Sequence, residues 1–370
     1  MNATVQTGGA QGARGGLSEQ VAQADAHDAA GRHDEAVNSL ARGIKAGDVE
    51  CMTRLGKRLL IGDRAPFLPR DAARFLIDAA NAGGAEAPAL LAALSGAGAH
   101  MRQSWADGLS ALVLAAERGW EPAREQLCVL AIDRDLAASA VKSPSAGVWK
   151  RLASSVAGGP WSGAPQAVVI HADPVVRSFP NLLTGEICDW LIAQARPKLV
   201  RAKVYDSIAR QDITHDTRTN TAATFTLAEV GFVHLLVQAR MAAACGVPMP
   251  NMEAATILHY EPGEQITNHF DFVDPQTPGY AEEVAKNGQR VVTFLAYLND
   301  DYEGGETDFP DLGVRNKGRR GEGLFFVNAH PNGEPDTRTV HAGRPPGRGE
   351  KWIVSQFIRS RAFIATSRTA

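Results

Sequence analysis

Over its first third the chain repeats itself at an offset of about 36 residues, and that register restricts the region to stacked helical hairpins. Ala46-Gly47, Ala82-Gly83 and Arg118-Gly119 stand at this offset, as do Leu40, Leu76 and Leu112. Leu55, Leu91 and Leu127 form another register, and the small residues Cys51, Ala87 and Ala123 a third. Within each unit the apolar positions, such as Leu55, Leu59 and Leu60 or Phe75, Leu76 and Ala79, recur at steps of three and four. That is the spacing of a helix with one buried stripe. Small residues at fixed places let paired helices approach closely, and the leucines fill the core they share.

The pattern of Ala79-Ala80, Gly83, Ala87 and Leu91 returns as Ala115-Ala116, Gly119, Ala123 and Leu127. It resembles Sel1-like repeats, relatives of the tetratricopeptide repeat, over roughly residues 30–135. The resemblance implies a solenoid, and concave solenoid faces commonly bind extended chains. Four segments follow: a Gly/Ala/Gln/Thr-rich disordered tail at 1–16, a repeat domain at 17–135, a linker at 136–165 containing KSPSAG and AGGPWSGAP, and a second domain at 166–365.

The balance of the chain excludes several classes. A net charge of −3 and no long basic run argue against a nucleic-acid partner; Arg315, Lys317, Arg319 and Arg320 read as a solvated loop. Cys51, Cys128, Cys188 and Cys245 are far apart, without the spacing of a zinc site or a disulfide framework. The N-terminal stretch lacks an apolar run, and no segment approaches a membrane span, so a cytoplasmic protein is expected.

The second domain reads differently. A strand at Ala167–His171 precedes a helix capped by Thr184 and running through Cys188, Leu191 and Ile192. From Ala254 onward come short strand candidates separated by Gly, Pro, Asn and Asp: Thr256–Tyr260, Val291–Leu298, Gly323–Val327 and Trp352–Ile358. Such runs suggest a sandwich or jelly roll. The fold class expected is therefore α+β and multidomain, a helical solenoid followed by a jelly roll.

His269 and Asp271 form an HxD pair, which on a strand sends an imidazole and a carboxylate to the same face. His341 lies further on in TVHAGRPPGRGEKW. Two histidines and one carboxylate make the facial triad of non-haem iron(II) oxygenases. Lys351 enters the apolar strand WIVSQFI, where burial requires a carboxylate partner. Alternation along RVVTFLAYLND puts Thr293, Leu295 and Tyr297 on one face, and Tyr260 closes the neighbouring candidate strand.

The ordered series Tyr260, His269-Phe270-Asp271, Thr293 to Tyr297-Leu298-Asn299, Gly304-Gly305-Glu306-Thr307, His341-Ala342-Gly343 and Lys351-Trp352 resembles the catalytic domain of prolyl 4-hydroxylases. The likeness runs over about residues 170–360, from FPNLLTGEICDWLI onward; RTNTAATF, with Arg218, departs from the family's RTS stretch at Asn220. It implies a double-stranded β-helix whose His269, Asp271 and His341 hold iron(II). Lys351 would pair with the far carboxylate of 2-oxoglutarate, assisted by Tyr297 and Thr293, and Tyr260 would line that pocket.

Further expectations follow from the resemblance. O2 is the co-substrate, and whether ascorbate is needed stays open. Asp271 argues for hydroxylation, since related halogenases carry a small residue there. The loops at 206–221 and 273–289 are expected to border the entrance, with Arg218 and Asp274 as candidate substrate contacts. The partner is a peptidyl proline docked by the repeats, or else a free amino acid or natural-product intermediate. A catalytically silent binding module is the reading from a different class.

Overall fold

The computed structural model describes residues 18–157, 163, 165–206, 211–330 and 332–362, so the tail expected at 1–16 lies outside the described residues. The chain divides into two compact units, 1–84 and 85–370. Among the described residues no helix is long and apolar enough to cross a membrane.

Among the described residues the first unit holds four helices, α1 (Glu19–Ala29), α2 (His33–Lys45), α3 (Val49–Ile61) and α4 (Pro69–Asn81). Ser18 caps α1 by accepting from the Val21 amide, and Asp48 caps α3 by accepting from Glu50 and Cys51. Gly47 and Gly83, the repeat glycines expected from the sequence, follow α2 and α4 with φ of 82° and 97°. That left-handed geometry stops the helix, and glycine adopts it without steric cost. Leu40 and Leu76 are fully buried in the same register.

The small-residue register sets how closely α2 and α3 approach. A methyl group at Gly43 would stand 2.3 Å from Cys51 Sγ. Gly43→Ala should therefore destabilise this unit by about 1–3 kcal/mol despite alanine's better helix propensity. Thermal unfolding checks this: a raised melting temperature would mean that the helix pair has room to spare.

In the second unit, α5 (Glu86–Ala97), α6 (Trp105–Glu117) and α7 (Glu121–Leu130) continue the repeat pattern, with Leu112, Ala123 and Leu127 fully buried. The linker expected at 136–165 is a correction. It overlaps α8 (Arg134–Lys142) and holds α9 (Val148–Ala157), with SPSAG joining them, while residues 158–162 and 164 lie outside the described residues. Val148, Trp149, Leu152, Ala153 and Val156 are buried at helical spacing, an apolar stripe that the flanking Ser, Gly and Pro residues masked.

An eight-stranded antiparallel sheet follows, in the order β1-β2-β13-β9-β16-β7-β6-β3. Its strands are β1 (Val168–Ala172), β2 (Val175–Phe179), β3 (Val200–Arg201), β6 (Thr221–Thr224), β7 (Thr256–Tyr260), β9 (Arg290–Tyr297), β13 (Gly323–Val327) and β16 (Lys351–Arg359). A four-stranded sheet, β12-β11-β14-β8, uses β8 (Ile266–His269), β11 (Thr307–Phe309), β12 (Val314–Asn316) and β14 (His341–Gly343). Two further two-stranded sheets are formed by β4 (Val204–Asp206) with β5 (Gln211–Ile213), and by β10 (Glu303–Gly304) with β15 (Pro346–Arg348).

Alternation sorts the large sheet into two cores. Leu258, Tyr260, Leu295, Tyr297, Leu324, Phe326 and Ile353 form one core with Phe309 of the small sheet, which places it inside the jelly roll. Val292, Phe294, Ala296, Phe325, Trp352 and Val354 point the other way. They share a second core with α10 (Gly185–Ala195), α11 (Phe232–Cys245) and the helices α6, α7 and α9. Helices 85–157 are thus continuous with the jelly roll, and the contacts of the chain divide at 84/85 instead of at the expected linker. The basic cluster is exposed, as expected of a solvated loop, with Arg315 pairing with Asp308 and Arg320 with Asp189 at the surface.

Candidate metal and oxo-acid site

The triad expected from the sequence assembles at the edge of the small sheet. β8 and β14 run antiparallel with His341 directly opposite His269, and the two rings lie 4.3 Å apart. Asp271 follows β8 after one intervening residue, on the same side of the chain as His269. His269 Nδ1 donates to the Thr267 carbonyl at 2.8 Å, and His341 Nδ1 to the Thr339 carbonyl at 3.0 Å, the tautomer this hydrogen-bonding network requires. Each ring is thereby left with an Nε2 lone pair aimed at Asp271, at 3.5 Å and 3.3 Å from its two oxygens.

Burial acts to raise the Asp271 carboxyl, but when the two rings carry a proton at Nε2 instead, His341 and His269 outweigh it and hold the group well below the usual carboxylate range. Two imidazole lone pairs and a buried carboxylate facing one point repel one another unless a cation lies between them. All three donor atoms fall within 4.8 Å of one another, and a two-histidine, one-carboxylate set fits iron(II). A second grouping, His259, Glu261 and Glu350, is less suited. Glu350 Oε2 there already accepts from Arg196 and from the Trp352 indole, both at 3.1 Å.

Lys351 starts β16 opposite Tyr260 of β7 and is 1% exposed. Its Nζ lies 5.2 Å from the Tyr260 ring and 5.9 Å from the Tyr297 ring. Burial pushes the ammonium down to about 8, and Glu306 offsets part of that shift. Among the described residues no carboxylate is paired with it, so the interior holds a cationic group without a counter-ion. The distal carboxylate of 2-oxoglutarate fits that need. Gly305 beside Lys351 has φ of 70°, and a methyl group there would stand 2.9 Å from the Tyr302 ring, so this turn requires glycine.

The assistants of Lys351 differ from the expectation. The Tyr297 hydroxyl lies in the same core but is already engaged, 2.9 Å from Thr307 Oγ1 and 3.2 Å from Asn316 Nδ2. Thr307, a member of the series that carries the resemblance, and Asn316, which did not stand out in the sequence, therefore hold the Tyr297 hydroxyl. Thr293 is reassigned. Its hydroxyl donates to Asp271 Oδ2 at 2.7 Å, placing it beside the metal ligands rather than beside Lys351.

The candidate substrate contacts are partly committed elsewhere. Asp274 Oδ1 accepts from the Gln276 amide at 2.9 Å, the bond of an Asx turn that shapes its own loop. Arg218 donates to Asn220 Oδ1 at 3.2 Å and is half-buried. The loop after Asp271 is ordered by Gln289, whose side-chain amide clamps both the N–H and the C=O of Val273 at 2.7 Å, and it carries α12 (Tyr280–Asn287). Phe270, Phe272, Asp274 and Tyr280 line an open cleft of about 370 Å³ with Pro335 and Thr337. Of the other expected loop, residues 207–210 lie outside the described residues.

Comparison with known proteins agrees with this geometry. The family profile described as the 2OG-Fe(II) oxygenase superfamily matches residues 255–359, which contain every ligand named above. The probable prolyl 4-hydroxylase 7 of Arabidopsis thaliana is 30% identical over 208 residues, 51% of this chain and 64% of its own length. The probable prolyl 4-hydroxylase 9 of the same plant is 32% identical over 210 residues, 52% of this chain and 71% of its own. Toward the other end, a Sel1 repeat protein from Oxalobacter formigenes shares 27% identity over 30% of this chain and 93% of its own, with a TM-score of 0.26. With its triad, its buried lysine and these relatives, the chain belongs to the prolyl 4-hydroxylase family of the 2OG-Fe(II) oxygenases.

Proposed function

We propose that this protein hydroxylates a prolyl residue within a peptide, consuming 2-oxoglutarate and O2 and releasing succinate and CO2. The observation that carries this reading is the convergence of His269, Asp271 and His341 on one point beside a buried Lys351 that has no carboxylate partner among the described residues. When bound, iron(II) supplies the redox chemistry by which the oxo acid is decarboxylated and one oxygen atom is delivered to the substrate.

The chain's own residues do the rest. Thr267 and Thr339 fix the ring orientation of the two histidines, and Lys351 fixes the direction of the oxo acid. Phe309 of the small sheet packs on the inner face of the large one and keeps that core apolar. The aromatic cleft beside Asp271 suits an extended, proline-containing chain, which docks well on aromatic walls. Helices α5–α9 serve here as a brace for the sheet, and docking of a longer peptide would fall to the repeats of the first unit.

Mass spectrometry of proline-rich peptides incubated with the iron-loaded protein tests the proposal. The expected result is one added oxygen on proline, stoichiometric with succinate and absent from His269→Ala. Hydroxylation of free proline, with the peptides untouched, would transfer the assignment to a small-molecule hydroxylase.

A further inference from the structure

Thr293 sits on β9, and Asn328 stands just beyond the end of β13; both side chains are completely buried. The Asn328 amide nitrogen donates to Thr293 Oγ1 at 2.8 Å, and Thr293 Oγ1 donates to Asp271 Oδ2 at 2.7 Å. The order matters. A hydroxyl has a single proton, and as long as Asn328 presents its nitrogen, Thr293 receives there and must spend its own proton on Asp271. With the amide turned the other way, the Asn328 oxygen would take that proton. Thr293 lone pairs would then face a carboxylate oxygen across 2.7 Å. The observed orientation avoids this even though it leaves Asn328 Oδ1 without a partner among the described residues.

The backbone of Asn328 reaches the other half of the site. Its N–H donates to Val291 on β9 at 2.8 Å, and its carbonyl accepts from the Asp336 amide at 3.0 Å. The Asp336 carbonyl in turn accepts from Thr339 Oγ1 at 2.7 Å, and the Thr339 carbonyl orients His341. One residue that touches none of the metal donors thus joins the segment carrying His341 to the hydroxyl that holds Asp271.

We infer that Thr293 and Asn328 are positioning residues: a one-way hydrogen-bond pair that fixes the rotation of the Asp271 carboxylate, anchored through Asn328 to the His341 segment. The inference rests on the reading of His269, Asp271 and His341 as metal ligands. Its effect should appear in metal binding itself, before any substrate is present.

The test is Mn(II) titration of the full chain, followed by the visible spectrum of the Co(II) form, for Thr293→Val, Thr293→Ser and Asn328→Ala, each with its melting temperature. Thr293→Val keeps the shape but loses the hydroxyl. It should bind Mn(II) about 10–100-fold more weakly and change the Co(II) spectrum, the range found when outer partners of metal ligands are removed. Thr293→Ser keeps the donor and should remain close to the unaltered protein, while Asn328→Ala should weaken Mn(II) binding in the same direction as Thr293→Val. Unchanged affinity and spectrum in Thr293→Val would overturn the inference, and so would equal losses in the valine and serine variants, which would mean packing alone. Should the valine variant fail to fold, Asn328→Ala decides alone: unchanged Mn(II) affinity there overturns the pair. Failure of the unaltered protein to bind Mn(II) would instead sink the metal assignment beneath it.

Discussion

Replacing Lys351 by alanine should weaken 2-oxoglutarate binding by about 100-fold or more. Lys351 is buried, and in the bound state it would be the one cation facing the distal carboxylate of the oxo acid. Removing one partner of a buried pair costs about 3–5 kcal/mol, because the other charge is then left in a poorly solvating interior. Turnover at very high 2-oxoglutarate should recover toward normal, since the metal donors are untouched. The same residue sets a pH dependence. Binding needs the ammonium, burial holds its pKa at about 8, and so affinity should be flat below that pH and fall above it. The decline should approach tenfold per pH unit, as expected for loss of one required proton. Calorimetric titration of 2-oxoglutarate across this range checks both claims. An unchanged affinity in the alanine variant would remove Lys351 from the site.

The second large effect concerns His269. Its side chain is 28% exposed at the end of a strand, so truncation to alanine leaves little cavity and the fold should survive. Metal affinity, however, should fall by more than the ~10–100-fold that follows loss of a mere outer partner, and succinate formation should fall with it. Loss of succinate with an unchanged melting temperature is the expected pattern. A variant that still turns over 2-oxoglutarate at a comparable rate would mean that the imidazole is not a ligand.

The sequence made the triad legible because its geometry is local. An HxD pair needs only the two-residue period of a strand, and the same period placed Thr293 with Tyr297 on the inner face of β9. What the period does not encode is depth. Thr293 and Tyr297 are four residues apart, about 13 Å along a strand. One therefore reaches Asp271 and the other the Lys351 pocket, although they share a face. Asn328 was invisible for another reason: its contacts come from β13 meeting β9 and from the loop before His341, pairings with no local signature. Similarly, the Ser, Gly and Pro residues around α9 looked like a linker. The apolar stripe Val148, Leu152 and Val156 acquires meaning only once something packs against it.

That last packing has a bearing on how such a protein is taken apart and recombined. Because α6, α7 and α9 contribute side chains to the outer core of the large sheet, the catalytic half has no natural seam at residue 160. A fragment cut there would strip α11 of its partners, among them Trp105, whose ring meets Phe232, and Gln126, whose side chain accepts from the Val233 amide, and would leave that apolar face bare. The modular joint lies at 84/85. An exchange of α1–α4 for those of a relative would leave every helix that shares the outer core of the sheet in place.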